Sequence, residues 1–391
     1  MRVCFVTGEY PPMQGGLADY TRELGRALIH RGHQVVVVTS NRAGDANRAP
    51  TEDEPIVQPL VDSWNWTSWA HVLHTARVFG SDVLHIQYQT AAYAMHPAIN
   101  LLPLRLRLRR NRPAMAVTFH DLRVPYLFPK AGPLRLQANL LLARWSDATI
   151  ATNVEDHEQL KQSSLPLSPH LIPIGSNIIP QLPVGYDRVA WRKRLGVTKD
   201  QVLLCYFAFL NESKGGETLV RTLAELRRRE HRVKLLMIGG QVGASDPTNQ
   251  TYLEYIQELI SETGLAGLVL WTGHTPPDQV SANFAAADIC VLPYRDGASY
   301  RRGSFMAALA HGLPIVSTYP TVAIDSLVDE ENVFLVPPDD PAATADAVER
   351  LARTPALRAR LARGAKKLAS GFTWDSIAKE TAQLYAELSR T

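Results

Sequence analysis

Cysteine is scarce in this sequence, long apolar runs are missing, and one broad stretch is nearly free of acid. Three cysteines in 391 residues lie too far apart for a disulfide framework or a thiolate metal cage, which suits a reducing compartment. No apolar run reaches the roughly 20 residues that a membrane-spanning helix needs. The N-terminal MRVCFVTGEY lacks a basic region leading into an apolar segment with a small-residue cleavage site, so it is expected to be a first strand and not a secretory signal. No acidic cluster suggests a metal, and there is neither a low-complexity segment nor a close internal repeat. The first glycine-rich loop offers only Gly15-Gly16, short of the three-glycine fingerprint of dinucleotide binding, which counts against an NAD-dependent enzyme. From Val83 to Ser146 a single acid, Asp121, stands against nine basic residues. That window carries +8 and the remainder −5, so the net +3 hides a local surface able to attract phosphates, anionic lipid or nucleic acid.

What is present is globular composition, 46% apolar and 20% charged, in a chain long enough for two cores. Val3 to Thr7, a loop Gly8 to Gly16, a helix from about Ala18 to His30 and the apolar run Gln34 to Thr39 make a βαβ unit. Further strands are expected at Asp82–Gln87, Ala116–His120, Thr149–Thr152 and His170–Pro173. After a linker near residues 175–188 and a helix Val189–Leu195, a second series follows: Val202–Ala208, Val233–Ile238, Val269–Thr272, Ile289–Leu292 and Ile315–Ser317. Helices such as Glu217–Arg229 lie between them. The fold class is α/β, in two successive parallel-sheet domains. The tail Thr373–Leu388 is amphipathic and could pack back on the first domain.

The most informative stretch is PYRDGASYRRGSFMAALAHGLPIVS, Pro293 to Ser317. A strand leads into a turn at Asp296-Gly297, and a small-residue helix begins near Ser304 and stops at Gly312-Leu313-Pro314. Arg301, Arg302, Gly303 and Ser304 stand at that helix N-terminus, where free N–H groups and arginine forks suit phosphate oxygens. The competing reading is a solvated arginine pair with Ser304 as helix cap. Lys214, between a strand and a helix, is poorly placed for the helix dipole unless it serves an anion. Gly15 and Gly16 allow close backbone approach to a ligand, or else form a tight turn needing positive φ.

Several marks in order carry a family resemblance. They are Pro11-Pro12 with Gly15-Gly16, Gly32-His33 before a valine strand, Phe119-His120-Asp121, Ile172-Pro173-Ile174-Gly175 and Lys214-Gly215. Ala286-Ala287-Asp288 before Val291-Leu292-Pro293, then Gly312-Leu313-Pro314-Ile315-Val316 and Phe372-Thr373-Trp374, complete them. The chain resembles the retaining glycosyltransferases of family 4 (glycosyl transferases group 1), which have the GT-B fold. The resemblance implies two Rossmann-like domains facing across a central cleft. The acceptor-side domain would be 1–178 with the helix 373–391 packed back on it, and the nucleotide-sugar donor domain would be 187–372. It implies transfer of a sugar from a nucleotide-diphosphate donor to an acceptor hydroxyl with retention, in polysaccharide, glycolipid or other glycoconjugate synthesis. No cofactor or metal is required, and no nucleic acid partner is expected. Under it, Gly15, Gly16, Lys214, Arg301, Arg302, Gly303 and Ser304 take the donor diphosphate. His120 faces the donor sugar, and Asp121 orients that ring or caps the next turn; these two are the candidate catalytic pair, with no general base or nucleophile assigned. Asp19 and Glu9 fall near the acceptor side but read as solvated surface.

The departures shape the expectation. The family's two glutamates, eight positions apart, fall here on Ser299 and Ala307, so the sugar-side carboxylate is missing or replaced by Asp296. A family arginine five residues before the phosphate lysine falls on Phe209, while Arg301 and Arg302 stand where the family has neutral residues. We read this as a diphosphate site rebuilt around Lys214 and the arginines, in a divergent subgroup. An inactive sugar-nucleotide or glycan-binding protein on the same fold, or a nucleotide-sugar epimerase, remain the alternatives. LLPLRLRLRRNR, residues 101–112, suits an anionic membrane surface, or else a helix with a leucine face in the core. Trp64, Trp66 and Trp69 are either an acceptor platform or core. The expected location is the cytoplasm, with peripheral contact at the inner membrane face left open.

Overall fold

The computed structural model describes residues 1–13, 15–44, 51–122, 132–163, 165–239 and 247–389. The chain divides into two compact units, Met1–Asn177 with Phe372–Thr391, and Ile178–Gly371. Among the described residues no helix is long and apolar enough to cross a membrane.

The first unit is built on strands β1 (Arg2–Thr7), β2 (Gln34–Ser40), β3 (Ile56–Val61), β4 (Val83–Gln89), β5 (Ala114–Asp121), β6 (Ala148–Ala151) and β7 (His170–Leu171). They form one sheet in the order β3-β2-β1-β4-β5-β6-β7, with every neighbouring pair parallel. Parallel strands covered by helices on both faces must be apolar throughout, and Val35 to Val38 of β2 are all buried. Each such side chain contributes about 1.5–3 kcal/mol relative to exposure. The second unit has β8 (Val202–Phe207), β9 (Val233–Ile238), β10 (Val269–Trp271), β11 (Ile289–Leu292), β12 (Ile315–Thr318) and β13 (Phe334–Val336) in the parallel order β10-β9-β8-β11-β12-β13.

Both sheets reverse their winding once, between β1 and β4 in the first unit and between β8 and β11 in the second. Open α/β sheets bind ligands at the carboxyl ends of the strands flanking such a reversal. In the first unit these ends deliver the loop Gly8 to Gly16 and the end of β4 beside the end of β5. In the second they deliver the loop carrying Lys214 and the loop Pro293 to Arg302.

The tail helix Trp374–Leu388 belongs to the first unit. The hydroxyl of Tyr385 lies 2.5 Å from His85 Nδ1, and Trp374 Nε1 donates to the Ser176 carbonyl at 2.9 Å. A Cβ on Gly175 would sit 2.8 Å from the Trp374 ring, which explains glycine there.

Some expectations shift. The first helix starts at Gly16, two residues before Ala18, and the small-residue helix spans Gly303–Ala310. Strands β3 and β13 were not expected. Strand β3 carries Pro59, tolerable because β3 is a sheet edge, and β13 is only three residues long.

Candidate functional site

The second unit gathers four of the expected site residues. Gly215 ends a short turn, Glu212–Lys214, in the left-handed region at φ 70°, and starts the helix Gly216–Arg228. A Cβ there would fall 1.8 Å from the Pro293 carbonyl oxygen, so the Lys214 loop lies directly on the loop after β11. The Arg295 amide donates to the Ser213 carbonyl at 3.0 Å and closes the same junction. Gly297, at φ 82°, packs against the Tyr319 carbonyl and folds Asp296 back toward the helix start. Asp296 then takes Arg301 Nη2 on Oδ2 at 3.1 Å and Arg302 Nη2 on Oδ1. The Arg302 guanidinium also stacks 5.0 Å above the centre of the Tyr294 ring.

Lys214 completes the cluster. Its ammonium is pushed down to about 8, first by burial and then by the positive Arg302, with Asp296 opposing. Arg301 and Arg302 thus share the Asp296 carboxylate, Lys214 lies within electrostatic reach of Arg302 and Asp296, and the group stands beside the N-terminus of the helix Gly303–Ala310. Arg302 is the residue that caps that helix, with Gly303 at its first position. Fixed cations and free backbone N–H groups in one place are the chemistry that binds a diphosphate.

Two expected residues have other employment. Ser304 is not the cap; it is buried, and its hydroxyl pairs with the Tyr294 hydroxyl at 2.6 Å. Asp296 bridges the two arginines and so acts inside the cationic cluster instead of reaching out as a lone carboxylate. Ser299 and Ala307, where the family glutamates would stand, are both buried.

The first unit presents a separate cluster. Strands β4 and β5 pair Tyr88 with Phe119 and Gln89 with Asp121, leaving His120 as the extra residue of a bulge. Bulges bend a strand and re-aim one side chain, and this one turns His120 toward its neighbours in the unit. His120 Nε2 donates to Gln87 Oε1 at 2.9 Å, and the Tyr20 ring meets the imidazole edge-on at 4.5 Å. Burial pushes the His120 imidazolium down to about 3, so the ring is neutral at ordinary pH, with Nδ1 as an acceptor. His85, buried one layer below, bonds Thr118 Oγ1 at 2.7 Å and is likewise pushed down to about 3, by burial first and by His120 second. Gln87 and Tyr20 were missed as site residues. The even spacing of Gln87 along β4 gives its facing, but the bulge that brings His120 to it leaves no mark in the sequence.

Gly15 and Gly16 start the first helix without positive φ; Gly15 is extended at φ 175°. The tight-turn explanation therefore fails. A Cβ at 15 would lie 2.4 Å from the Glu9 carboxylate, the end of a flexible side chain that can swing aside. Glu9 is only partly exposed and its carboxyl is held above its ordinary range by burial, so it is not the solvated surface residue expected. Asp19 is exposed, its carboxyl raised by desolvation and by Glu23.

The expected tryptophan group is split. Trp64 is core against Tyr93, Trp69 donates to the Ala98 carbonyl at 2.9 Å, and Trp66 is exposed with its edge on Trp69. In the basic window, the helix Ala98–Arg107 buries Ile99, Leu102 and Leu106, while Leu104 and Leu108 are exposed. Arg123 and Lys130 lie outside the described residues. Among the described residues no group of three or more His, Cys, Asp or Glu is placed to hold a metal ion.

The glycosyl transferase 4-like domain matches residues 15–175, and the glycosyl transferases group 1 family matches residues 200–354. A D-inositol 3-phosphate glycosyltransferase of Corynebacterium diphtheriae is 28% identical over 201 residues, covering 50% of this chain and 45% of that protein. The match thus spans about half the length of that curated relative. A D-inositol 3-phosphate glycosyltransferase of Xylanimonas cellulosilytica is 28% identical over 414 residues, 96% of this chain and 92% of its own. Anabaena HepE, solved in complex with UDP and glucose, superposes with a TM-score of 0.76 at 20% identity, over 99% of this chain and 100% of that one. That likeness carries the fold, which is GT-B with two Rossmann-like, parallel-sheet domains. With the two domain families matched in succession, the chain belongs to the glycosyl transferases, a 4-like domain followed by a group 1 domain.

Proposed function

We propose that this protein transfers a sugar from a nucleoside-diphosphate-sugar donor to an acceptor hydroxyl, with retention at the anomeric carbon, in glycolipid, polysaccharide or other glycoconjugate synthesis. The observation that carries the reading is the cluster of Lys214, Arg301 and Arg302 around Asp296, at the reversal point of the group 1 domain. Its arginines are held in place by Asp296 before any ligand arrives, and fixed cations stabilise a leaving diphosphate without reorganisation. The departing diphosphate would accept the acceptor proton on the same face, so no protein general base is invoked and no metal is needed. His120, neutral and anchored by Gln87, would accept a hydrogen bond from a sugar hydroxyl through Nδ1. The UDP bound to Anabaena HepE supports a uridine donor as the first to try. We place the protein in the cytoplasm.

A second reading is favoured by one observation. Ser299 and Ala307 are buried where the family has carboxylates, so a protein that binds donor without turning it over would keep the cations and lose these groups. The test is a thermal-shift panel of UDP-, GDP-, ADP- and dTDP-sugars with Lys214→Ala and Arg301→Ala/Arg302→Ala variants, followed by donor consumption assays with sugar and lipid acceptors. A native-only shift of several degrees with turnover supports transfer. A shift without turnover for any acceptor supports the binding protein, and an equal shift in the variants refutes the diphosphate site.

A further inference from the structure

The amino ends of β5 and β6 in the first sheet border a second cluster of cations. A cavity of about 670 Å³ opens where β5 and β6 begin, at Ala114 and Ala148, and it is lined by Arg107, Arg110, Arg112 and Arg144 with Asp147 as its carboxylate. His120 sits six residues further along β5, roughly 20 Å away at strand rise. The cavity is therefore not part of the site at the carboxyl ends of the strands.

Its floor is built. Arg112 forks onto Asp147, with Nη2 on Oδ1 at 2.8 Å, and Asp147 also takes the Met115 amide at 2.9 Å. Arg107 donates through Nε to the Trp145 carbonyl at 2.7 Å and through Nη2 to Asp147 at 3.3 Å. Asp147 is thus shared by two guanidiniums and a backbone amide. Arg110 and Arg144 line the same cavity, are exposed, and make no ion pair among the described residues. Four guanidiniums against one engaged carboxylate leave the cavity strongly positive. Guanidinium forks match the oxygens of phosphate in bidentate geometry. The volume falls in the range of small-ligand sites.

We propose that this cavity is a binding site for a phosphate-bearing ligand, separate from the diphosphate cluster of the second unit. Two sources offer that chemistry, a soluble phosphate and the headgroup of an anionic lipid. Leu104 on the helix Ala98–Arg107 and Leu108 just after it stand exposed, Leu108 at 74%, and favour the lipid.

The full chain carrying Lys214→Ala is tested, so that the cluster of the second unit does not contribute. One arm measures co-sedimentation with phosphatidylcholine vesicles with and without phosphatidylglycerol. The other titrates inorganic pyrophosphate calorimetrically. Each is repeated with Arg110→Ala/Arg144→Ala and with Arg105→Ala/Arg109→Ala, an equal charge change on exposed arginines outside the cavity lining. Thermal melts confirm that both variants fold. Binding in either arm that falls roughly tenfold or more in the Arg110/Arg144 variant and is kept in the Arg105/Arg109 variant supports the site and names its source. No binding in either arm, or equal losses in the two variants, overturns it.

Discussion

Gly215 turns left-handed directly beneath the carbonyl of Pro293, close enough that a Cβ at 215 would overlap that oxygen at 1.8 Å. One backbone contact thus locks the loop of Lys214 to the loop of Arg301 and Arg302. Gly215→Ala adds both a left-handed strain of roughly 1 kcal/mol or more and a clash that no side-chain rotation relieves. We expect the second unit to lose about 2–4 kcal/mol in denaturant unfolding and the thermal response to pyrophosphate to disappear. Wild-type stability in the variant would show that the two loops are not held at this point.

Lys214 makes a pH prediction with a definite sign. Its folded value is about 8 against an ordinary 10.5, so between those values the unfolded chain holds more protons than the folded one. Stability then rises with pH across that window, and the buried charge costs stability below it. Each tenfold loss of proton affinity is worth about 1.4 kcal/mol, so Lys214→Met should raise ligand-free stability at pH 7 by about 1–3 kcal/mol. It should also abolish the rise between about pH 8 and the ordinary lysine value. The same variant should lose the thermal shift given by the donor nucleotide. Denaturant midpoints followed from neutral to alkaline pH, with and without nucleotide, check all three outcomes, and an unchanged profile sinks the buried-cation account.

Asp296 pairs with both arginines of its cluster, and its removal should separate stability from binding. In Asp296→Asn the two guanidiniums lose their carboxylate, whose side chain is only 22% exposed. Breaking a partly buried charged network costs about 2 kcal/mol or more. The net charge facing a ligand rises by one unit, so affinity for pyrophosphate should increase severalfold at low salt. Calorimetric titration of the variant beside the parent decides it; weaker binding would mean that Asp296 shapes the site more than it competes with the ligand.

Much of this was legible in the sequence. Continuous apolar runs gave β9 and β11 at their observed ends, because strands buried on both faces leave no alternation to misread. Glycine followed by proline marked the end of the Gly303–Ala310 helix. The resemblance pointed to Lys214 and His120, whereas the arginine pair came from the residues themselves, at positions where the family is neutral. What the sequence withheld was pairing between distant segments. The bulge at His120 exists only as a mismatch between β4 and β5, and the approach of the Glu9 carboxylate to Gly15 is a contact that the sequence does not mark. Ser304 looked like a cap because a hydroxyl at a helix start usually is one, but Tyr294 claims it first. The basic window hid a division of labour: Arg107 and Arg112 fasten Asp147, whereas Arg110 and Arg144 remain open to a ligand.

Two histidines of the first unit, the buried His85 and the part-buried His120, predict acid sensitivity. His85 and His120 each take up a proton near 6.5 when unfolded but only near 3 when folded. The unfolded chain therefore binds more protons throughout that interval, and stability falls as pH drops from 6.5 toward 3. Each histidine contributes a slope of about 1.4 kcal/mol per pH unit. Gln87→Glu should change this for one of them alone. It sets a carboxylate in place of the amide oxygen now 2.9 Å from His120 Nε2, and a buried opposite charge favours the imidazolium. His120 should then titrate well above its present value, within reach of neutral pH, while His85, held by Tyr385 and Thr118, keeps its low value. Histidine ring nitrogen signals followed by NMR from acid to neutral pH distinguish the two rings. If His120 remains neutral throughout in the variant, Gln87 is not the group that sets its protonation, and the assignment of Nδ1 as the free acceptor falls with it.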